Sequence, residues 1–274
     1  MNTSTSDPDP TPAHTPLAQW ADAIEARFPA RVGRVEVYAE TASTQDAARR
    51  RAAADPARAH GLVVTAGRQS AGRGRLGRRW VSPGDGGLAF SAVYAVGGAS
   101  ADRLAFAASV AVAETLDDWL APCGQTALIK WPNDVMVDGR KIAGILVERE
   151  DDRAVVGVGI NVHTRAADLP EPLRDTATSL ERAGAPACRL AVLLALLGRL
   201  DRALTDRPLD DLLGAWRRRS TLATRSVRFA SGGSEVVGQV VDLDPHAGLI
   251  VRRDSGELVH LPADATSVLG DVQA

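Results

Sequence analysis

The chain has 274 residues, 45% of them hydrophobic and 24% charged, and a formal net charge of −2, which fits one large folded domain or two smaller ones. Its 32 basic and 34 acidic residues leave no bulk positive field for non-specific nucleic-acid binding, and no apolar run nears the ~20 residues of a spanning helix. The cysteines Cys123 and Cys188 are too few for a disulfide scaffold or a four-cysteine metal site, and a reducing cytosol is expected.

Residues 1–16 form a Ser/Thr/Asp/Pro tail that cannot bury apolar surface and is expected to be disordered; it lacks the charged-then-apolar order of a signal peptide. Apolar spacing then predicts a short helix over Leu17–Phe28 and a strand around Arg31–Tyr38. Ser43 or Thr44 is placed to cap a helix over Gln45–Ala54. Gly61–Gly67 reads as a strand running into a Gly/Arg-rich loop that ends near Gly87. A second strand follows over Leu88–Val96, then a long Ala-rich helix from Ser100 to Leu120.

Residues 127–150 alternate like paired strands about Asp138-Gly139, a strong two-residue hairpin signal. Ala154–His163 is a further strand, and helices are expected at about Cys188–Thr205 and Leu209–Arg219. Beyond Ser220 the pattern changes to short strands with turns at Ser231–Ser234, Asp244–Gly248 and Asp254–Gly256. That reads as a small β-barrel, separate from a mixed α/β body. The expected division is a tail over 1–16, a body over 17–220 and a C-terminal unit over 221–274.

The loop Gly67–Trp80 is the most unusual stretch. Gly72, Gly74 and Gly77 satisfy G-x-G-x-x-G, but no acidic residue stands about 20 positions on, so a dinucleotide fold is not indicated. No Gly-Lys-Ser/Thr follows, so it is not a P-loop. It is a flexible backbone interleaved with Arg73, Arg75, Arg78 and Arg79, whose guanidinium forks suit phosphate and carboxylate. Composition alone also fits a solvated basic loop. Trp80 reads by default as a core tryptophan, with a stacking platform for a purine as the other reading.

Only two of the basic residues are lysines, Lys130 and Lys141. A turn at Asp138-Gly139 sets Val137 against Arg140 and Met136 against Lys141, so Asp134, Met136 and Lys141 share a face. A carboxylate suited to Mg²⁺ beside an ammonium is what a nucleoside triphosphate requires, although an ordinary hairpin ion pair is the plainer reading. Alternation puts Lys130 on the face of Asp134 with no role assigned. Asn161 ends its strand, where it suits either a turn or a hydrogen bond to a base or sugar. The histidines show no metal-ligand spacing and no nucleophile–base arrangement.

In order and spacing, STQDAARR, GRQSAGRGRLGRRW, KWPNDVMVDGRKIAGILVE and VVGVGINV resemble the motifs of biotin–protein ligases, the biotin–[acetyl-CoA-carboxylase] ligases, from about Val35 onward. The resemblance implies an α/β catalytic domain with a mixed sheet, of class II synthetase-like biotin/lipoate ligase fold, plus a C-terminal SH3-like β-barrel. It implies activation of biotin by MgATP to biotinyl-5′-AMP, then transfer to one lysine of the biotin carboxyl carrier domain of an acyl-CoA carboxylase. By motif match, Ser43, Thr44, Gln45 and Gln69 would line the biotin site. Arg73, Gly74 and Arg75 would hold the carboxylate and phosphate side, and Lys141 would contact both. Gly72, Arg78, Trp80, Asn133 and Asn161 would serve ATP and the adenylate. Asp134 would take the metal–phosphate end and is a candidate helper for the acceptor amine.

Two departures stand out: Gln45 replaces the family's usual Asn, and Leu76 stands where a basic residue is frequent. A cytoplasmic monomer or weak homodimer with no membrane partner is expected, and no DNA partner, because the DNA-binding domain of bifunctional members of the family it resembles has no counterpart here. A lipoate–protein ligase and a non-catalytic biotin- or adenylate-binding sensor are the competing readings.

Overall fold

The structure is a computed structural model that describes residues 16–29, 34–81 and 84–271. The tail expected to be disordered falls, apart from Pro16, outside the described residues, as does the predicted start of the first strand at 31–33.

Trp20–Arg27 forms α1, which buries Trp20 and Ile24. Arg34–Thr41 (β1), Thr44–Ala54 (α2) and Leu62–Gln69 (β2) make a parallel crossover unit. Ser43 caps α2 by accepting the Asp46 N–H at 3.4 Å. Gly87–Ala95 (β3) leads to Ala101–Leu120 (α3), capped by Ser100. Leu128–Lys130 (β4), Asp134–Val137 (β5), Arg140–Glu150 (β6) and Arg153–Asn161 (β7) then form an antiparallel meander. β7 returns to pair with β3, so the sheet order is β1-β2-β3-β7-β6-β5-β4. Since β1 and β2 are parallel and the other pairs antiparallel, the sheet is mixed, as expected.

After a single turn over Glu171–Arg174 (α4), Arg189–Thr205 (α5) and Leu209–Arg219 (α6) pack with α3 on one face of the sheet. The alternation in β2 and β3 shows how the sheet is sandwiched. Val63, Phe90, Ala92 and Tyr94 join the main core under the helices, whereas Leu62, Val64 and Val93 pack with Ala47, Ala48 and Ala52 of α2. The second face is therefore covered by α2 only over β2, β3 and β7. Beyond it, the strands face a cavity.

Ser226–Ser231 (β8), Ser234–Asp244 (β9), Gly248–Arg252 (β10), Leu258–Leu261 (β11) and Thr266–Asp271 (β12) form a five-stranded antiparallel sheet of order β11-β10-β9-β8-β12. The turns fall where the sequence places them. Thr221 donates to the Ile129 carbonyl at 2.9 Å, and Arg217 pairs with Asp242 at 2.7 Å, which ties this sheet to the body. Among the described residues no helix is long and apolar enough to cross a membrane.

Candidate active site

A cavity of about 350 Å³ opens between α2, the uncovered face of β3 and β5–β7, the arginine loop and β12. That volume lies in the range of small-molecule sites. The end under α2 is a buried polar network. Thr44 donates its N–H and its hydroxyl to Gln69 Oε1 at 2.8 and 3.1 Å, and Thr44 Oγ1 lies 3.0 Å from Ser91 Oγ. Ser91 donates to Gln45 Oε1 at 3.0 Å, and Gln45 Nε2 donates to the Val155 carbonyl at 3.0 Å. Gln45 crosses β7 in the space left by Gly157, where an added Cβ would stand 2.4 Å from Gln45 Oε1. Such a network holds its hydroxyls and amides in fixed orientations at the cavity wall.

The middle of the cavity is built by the β5–β6 hairpin. Asp138 (φ 49°) and Gly139 (φ 71°) are both left-handed, the signature of a type I′ turn. Val137 pairs with Arg140 and Met136 with Lys141, but the register then shifts, so that Asp134 lies opposite Gly144. This bulge has a large consequence. Ile142 and Ala143 both turn into the core at 0% exposure, which returns Gly144 to the cavity face beside Lys141. Lys141 Nζ sits 2.6 Å from Asp134 Oδ1, and the pair lines the cavity rather than an open surface.

Trp80 is half-buried, lying across the strands rather than in the core. Gly144 pairs directly with Gly159, and added Cβ atoms there would stand 3.1 Å and 2.3 Å from the Trp80 ring. Two opposed glycines thus make the flat floor on which the indole rests. Lys141 Nζ lies 5.6 Å from the ring centroid, within cation–π range.

The arginine loop is an ordered hairpin. Gly74 N–H donates to Arg78 O at 2.8 Å and Trp80 N–H to Gly72 O at 2.9 Å. Its tip holds Leu76 (φ 53°) and Gly77 (φ 72°) in left-handed conformations, a geometry costing about 1 kcal/mol for a residue such as leucine. Arg73, expected to hold an anionic ligand, instead spends its fork on protein carboxylates: Asp46 at 2.6 Å and Glu148 at 2.6 and 3.1 Å. It latches the loop to α2 and β6. Arg75 donates to Asn133 Oδ1 at 3.2 Å and to the Ala263 carbonyl, while Asn133 Nδ2 donates to Ile145 O at 2.9 Å. Burial lowers the Arg75 guanidinium pKa, and Asp102, Asp134 and Asp264 oppose that shift. Burial raises the Asp102 carboxyl pKa, countered by a hydrogen bond from the Ala263 backbone. One backbone unit, in the turn between β11 and β12, therefore joins the arginine loop to the start of α3.

Of the expected site residues, Ser43, Thr44, Gln45, Gln69, Arg73, Gly74, Arg75, Arg78, Trp80, Asn133, Asp134 and Lys141 line the cavity. Gly72 and Asn161 do not. Gly72 is buried, and an added Cβ would stand 2.5 Å from the Trp80 carbonyl, so its role is to let the loop close. Asn161 is turned into the protein, where its Oδ1 accepts from Thr164 Oγ1 at 3.4 Å and its carbonyl accepts the Leu180 N–H at 3.1 Å.

Sequence reasoning misses Ser91, Leu173 and Thr266–Val268, all of which line the cavity. Ser91 carries a signal, as the one aliphatic hydroxyl in LAFSAVYAV; the others carry none. Among the described residues no three His, Cys, Asp or Glu side chains gather as a metal site. A single carboxylate such as Asp134 still fits Mg²⁺, which keeps its waters and leans on substrate phosphates.

Residues 40–164 match the biotin/lipoate A/B protein ligase family. The chain is 36% identical over 242 residues to the biotin–[acetyl-CoA-carboxylase] ligase of Mycobacterium tuberculosis, covering 83% of this chain and 89% of that relative. It is 38% identical over 130 residues to the bifunctional ligase/repressor BirA of Bacillus subtilis, but spans only 39% of that protein's length. A biotin protein ligase from Aquifex aeolicus, solved with biotin and ATP, superposes with a TM-score of 0.72 at 28% identity, covering 86% of this chain and 99% of that one.

Proposed function

The chain belongs to the biotin–[acetyl-CoA-carboxylase] ligase family, and on that premise we propose that it activates biotin with MgATP and transfers it to a lysine of a biotin carboxyl carrier domain. The observation that carries this reading is the succession along the cavity: a box of fixed hydroxyls and amides at β3 and β7, then an ammonium under an indole at β6. A ureido ring presents two N–H donors and a carbonyl, which such a box can satisfy. The dithiolane of lipoate offers no comparable partners, so burying the box against it would leave polar groups unpaired, at about 1–3 kcal/mol each.

In the first half-reaction a biotin carboxylate oxygen attacks the α-phosphorus of ATP, and the bond from that phosphorus to the bridging oxygen breaks, releasing pyrophosphate. The attack joins two anions. Lys141, held in place by Asp134, supplies the charge that lets them meet. Mg²⁺ bound by the phosphates and Asp134 would further neutralise them. Arg75 and the backbone of the arginine hairpin close over the adenylate, with Trp80 as the platform for its adenosine part, and exclude water. In the second half-reaction the acceptor amine attacks the carbonyl carbon, the bond to the phosphate oxygen breaks, AMP leaves and the nitrogen loses a proton. Residues 17–220 serve as the catalytic unit, and 221–274 contribute through β12 and Ala263.

The reading is tested by single-turnover reactions of the protein with MgATP and either biotin or lipoate. The expected product is biotinyl-AMP, with lipoate giving little or none. Lipoyl-AMP as the main product would overturn it. Arg75→Ala should release preformed biotinyl-AMP about 10- to 100-fold faster, because charge-assisted hydrogen bonds to Asn133 and Ala263 that close the site are lost. Displacement kinetics of the bound adenylate check this.

A further inference from the structure

Lys130 is left without a task by the reactions above, yet it lines the same cavity. It ends β4, pairs across the ladder with Asp134, and faces away from the fully buried Ile129. The other cations of the cavity wall are mostly committed. Lys141 pairs with Asp134, Arg73 with Asp46 and Glu148, Arg75 with Asn133 and Ala263, and Arg79 with the Ser70 carbonyl. Arg78 is exposed on the loop. Lys130 is half-buried and has no ion-pair partner among the described residues. An uncompensated ammonium in a half-enclosed cavity is a standing attraction for an anion.

The sheet order says which anion. Across the cavity the strands run β3, β7, β6, β5, β4, each about 4.8 Å from the next. The polar box lies at β3 and β7, Lys141 on β6, and Lys130 on β4. Biotin seated in the box brings its carboxylate toward Lys141 from the β7 side. Displacement at phosphorus is in line, so the departing oxygen lies on the side of the phosphorus opposite the attacking carboxylate. That side is β5 and β4.

We propose that Lys130 is the leaving-group residue, binding the β- and γ-phosphates of ATP and the pyrophosphate they become. This rests on the ligase reading. The α-phosphorus bond to the bridging oxygen breaks with its electron pair on pyrophosphate, and Lys130 neutralises that charge without giving up a proton. Two strand spacings, about 10 Å, separate β6 from β4, a gap that a diphosphate and an extended lysine side chain together span. Thr266 and Ser267 at the start of β12 line the same cavity, the Thr266 hydroxyl being held by Ser231 Oγ at 2.8 Å.

The role divides the two half-reactions, because pyrophosphate takes part only in the first. Lys130→Met, which keeps the stem, is compared with wild type in three measurements: biotinyl-AMP formation from ATP, its reversal to ATP by added inorganic pyrophosphate, and transfer from supplied biotinyl-AMP to a carrier domain. Formation and reversal should fall about 10- to 100-fold, while transfer stays within about twofold of wild type, which also shows the variant is folded. Lys130→Arg should recover part of the loss. Unchanged formation, or transfer falling as far as formation, would overturn the assignment. Wild-type protein that makes no biotinyl-AMP at all would defeat the ligase reading itself, so the two failures are separable.

Discussion

Lys141→Ala is expected to lower biotinyl-AMP formation by at least about 1,000-fold, the scale of losing a preorganised charge at a developing anionic centre. Two effects add. The ammonium no longer offsets the meeting of carboxylate and phosphate, and Asp134, which it held at 2.6 Å, becomes an unpaired negative charge beside them. The fold should survive, because the pair is about a third exposed on each side (34% and 26%) and such pairs contribute at most about 1 kcal/mol. Circular dichroism and Tm check that half of the expectation, and single-turnover adenylation checks the other. Lys141→Arg should not rescue. A planar guanidinium on this stem is too bulky and too fixed to follow an oxygen from carboxylate to phosphate under the Trp80 ring. A variant lacking the ammonium that adenylates biotin at the wild-type rate would remove Lys141 from the mechanism.

The second large effect is expected where no charge is involved. In Gly159→Ala the new Cβ would stand 2.3 Å from Trp80 Cε2 and 2.6 Å from Nε1, so the indole must leave its floor. Overpacking of this kind costs about 1–3 kcal/mol, and displacing the ring also removes the contact that places Lys141 at 5.6 Å from it. KM for ATP should rise at least about 10-fold and adenylation fall about 100-fold, with Tm lowered by several degrees. Adding Trp80→Ala to Gly159→Ala should restore Tm but not activity, since it removes the clash and the platform together. Recovery of activity in the double variant would show that the ring serves only as packing.

How far the sequence alone reveals the fold and the site depends on how local each signal is. The hairpin at Asp138-Gly139 and its first two residue pairs are legible because a type I′ turn sets register by itself. The shift at Val135 is not, because a bulge depends on what both strands pack against. It is nonetheless the bulge that puts Gly144, instead of Ala143, under Trp80. The arginine-rich loop is legible as an anion-seeking element, yet no local rule says that Arg73 takes Asp46 and Glu148, since those carboxylates come from a helix and a strand distant in the chain. The default reading of Trp80 as a core residue misplaces it. The glycines that receive it lie 64 and 79 positions on, and are paired only once β6 and β7 are formed. Leu173 and the β12 residues have no signal of any kind, because their place at the cavity comes from tertiary docking alone.

The departure at Gln45 now has a physical setting. Its amide reaches Val155 on one side and Ser91 on the other, in the space that Gly157 leaves open. The side chain acts by orienting the hydroxyls around it, and its extra methylene, relative to asparagine, is what spans to β7.

The most direct test of the account is the mass of an isolated biotin carboxyl carrier domain after incubation with this protein, MgATP and biotin. The account predicts a gain of one biotinyl group on a single lysine, dependent on both ATP and biotin and lost in Lys141→Ala. A carrier domain whose mass is unchanged with wild-type protein, or that gains a lipoyl group in preference when both acids are supplied, would contradict it.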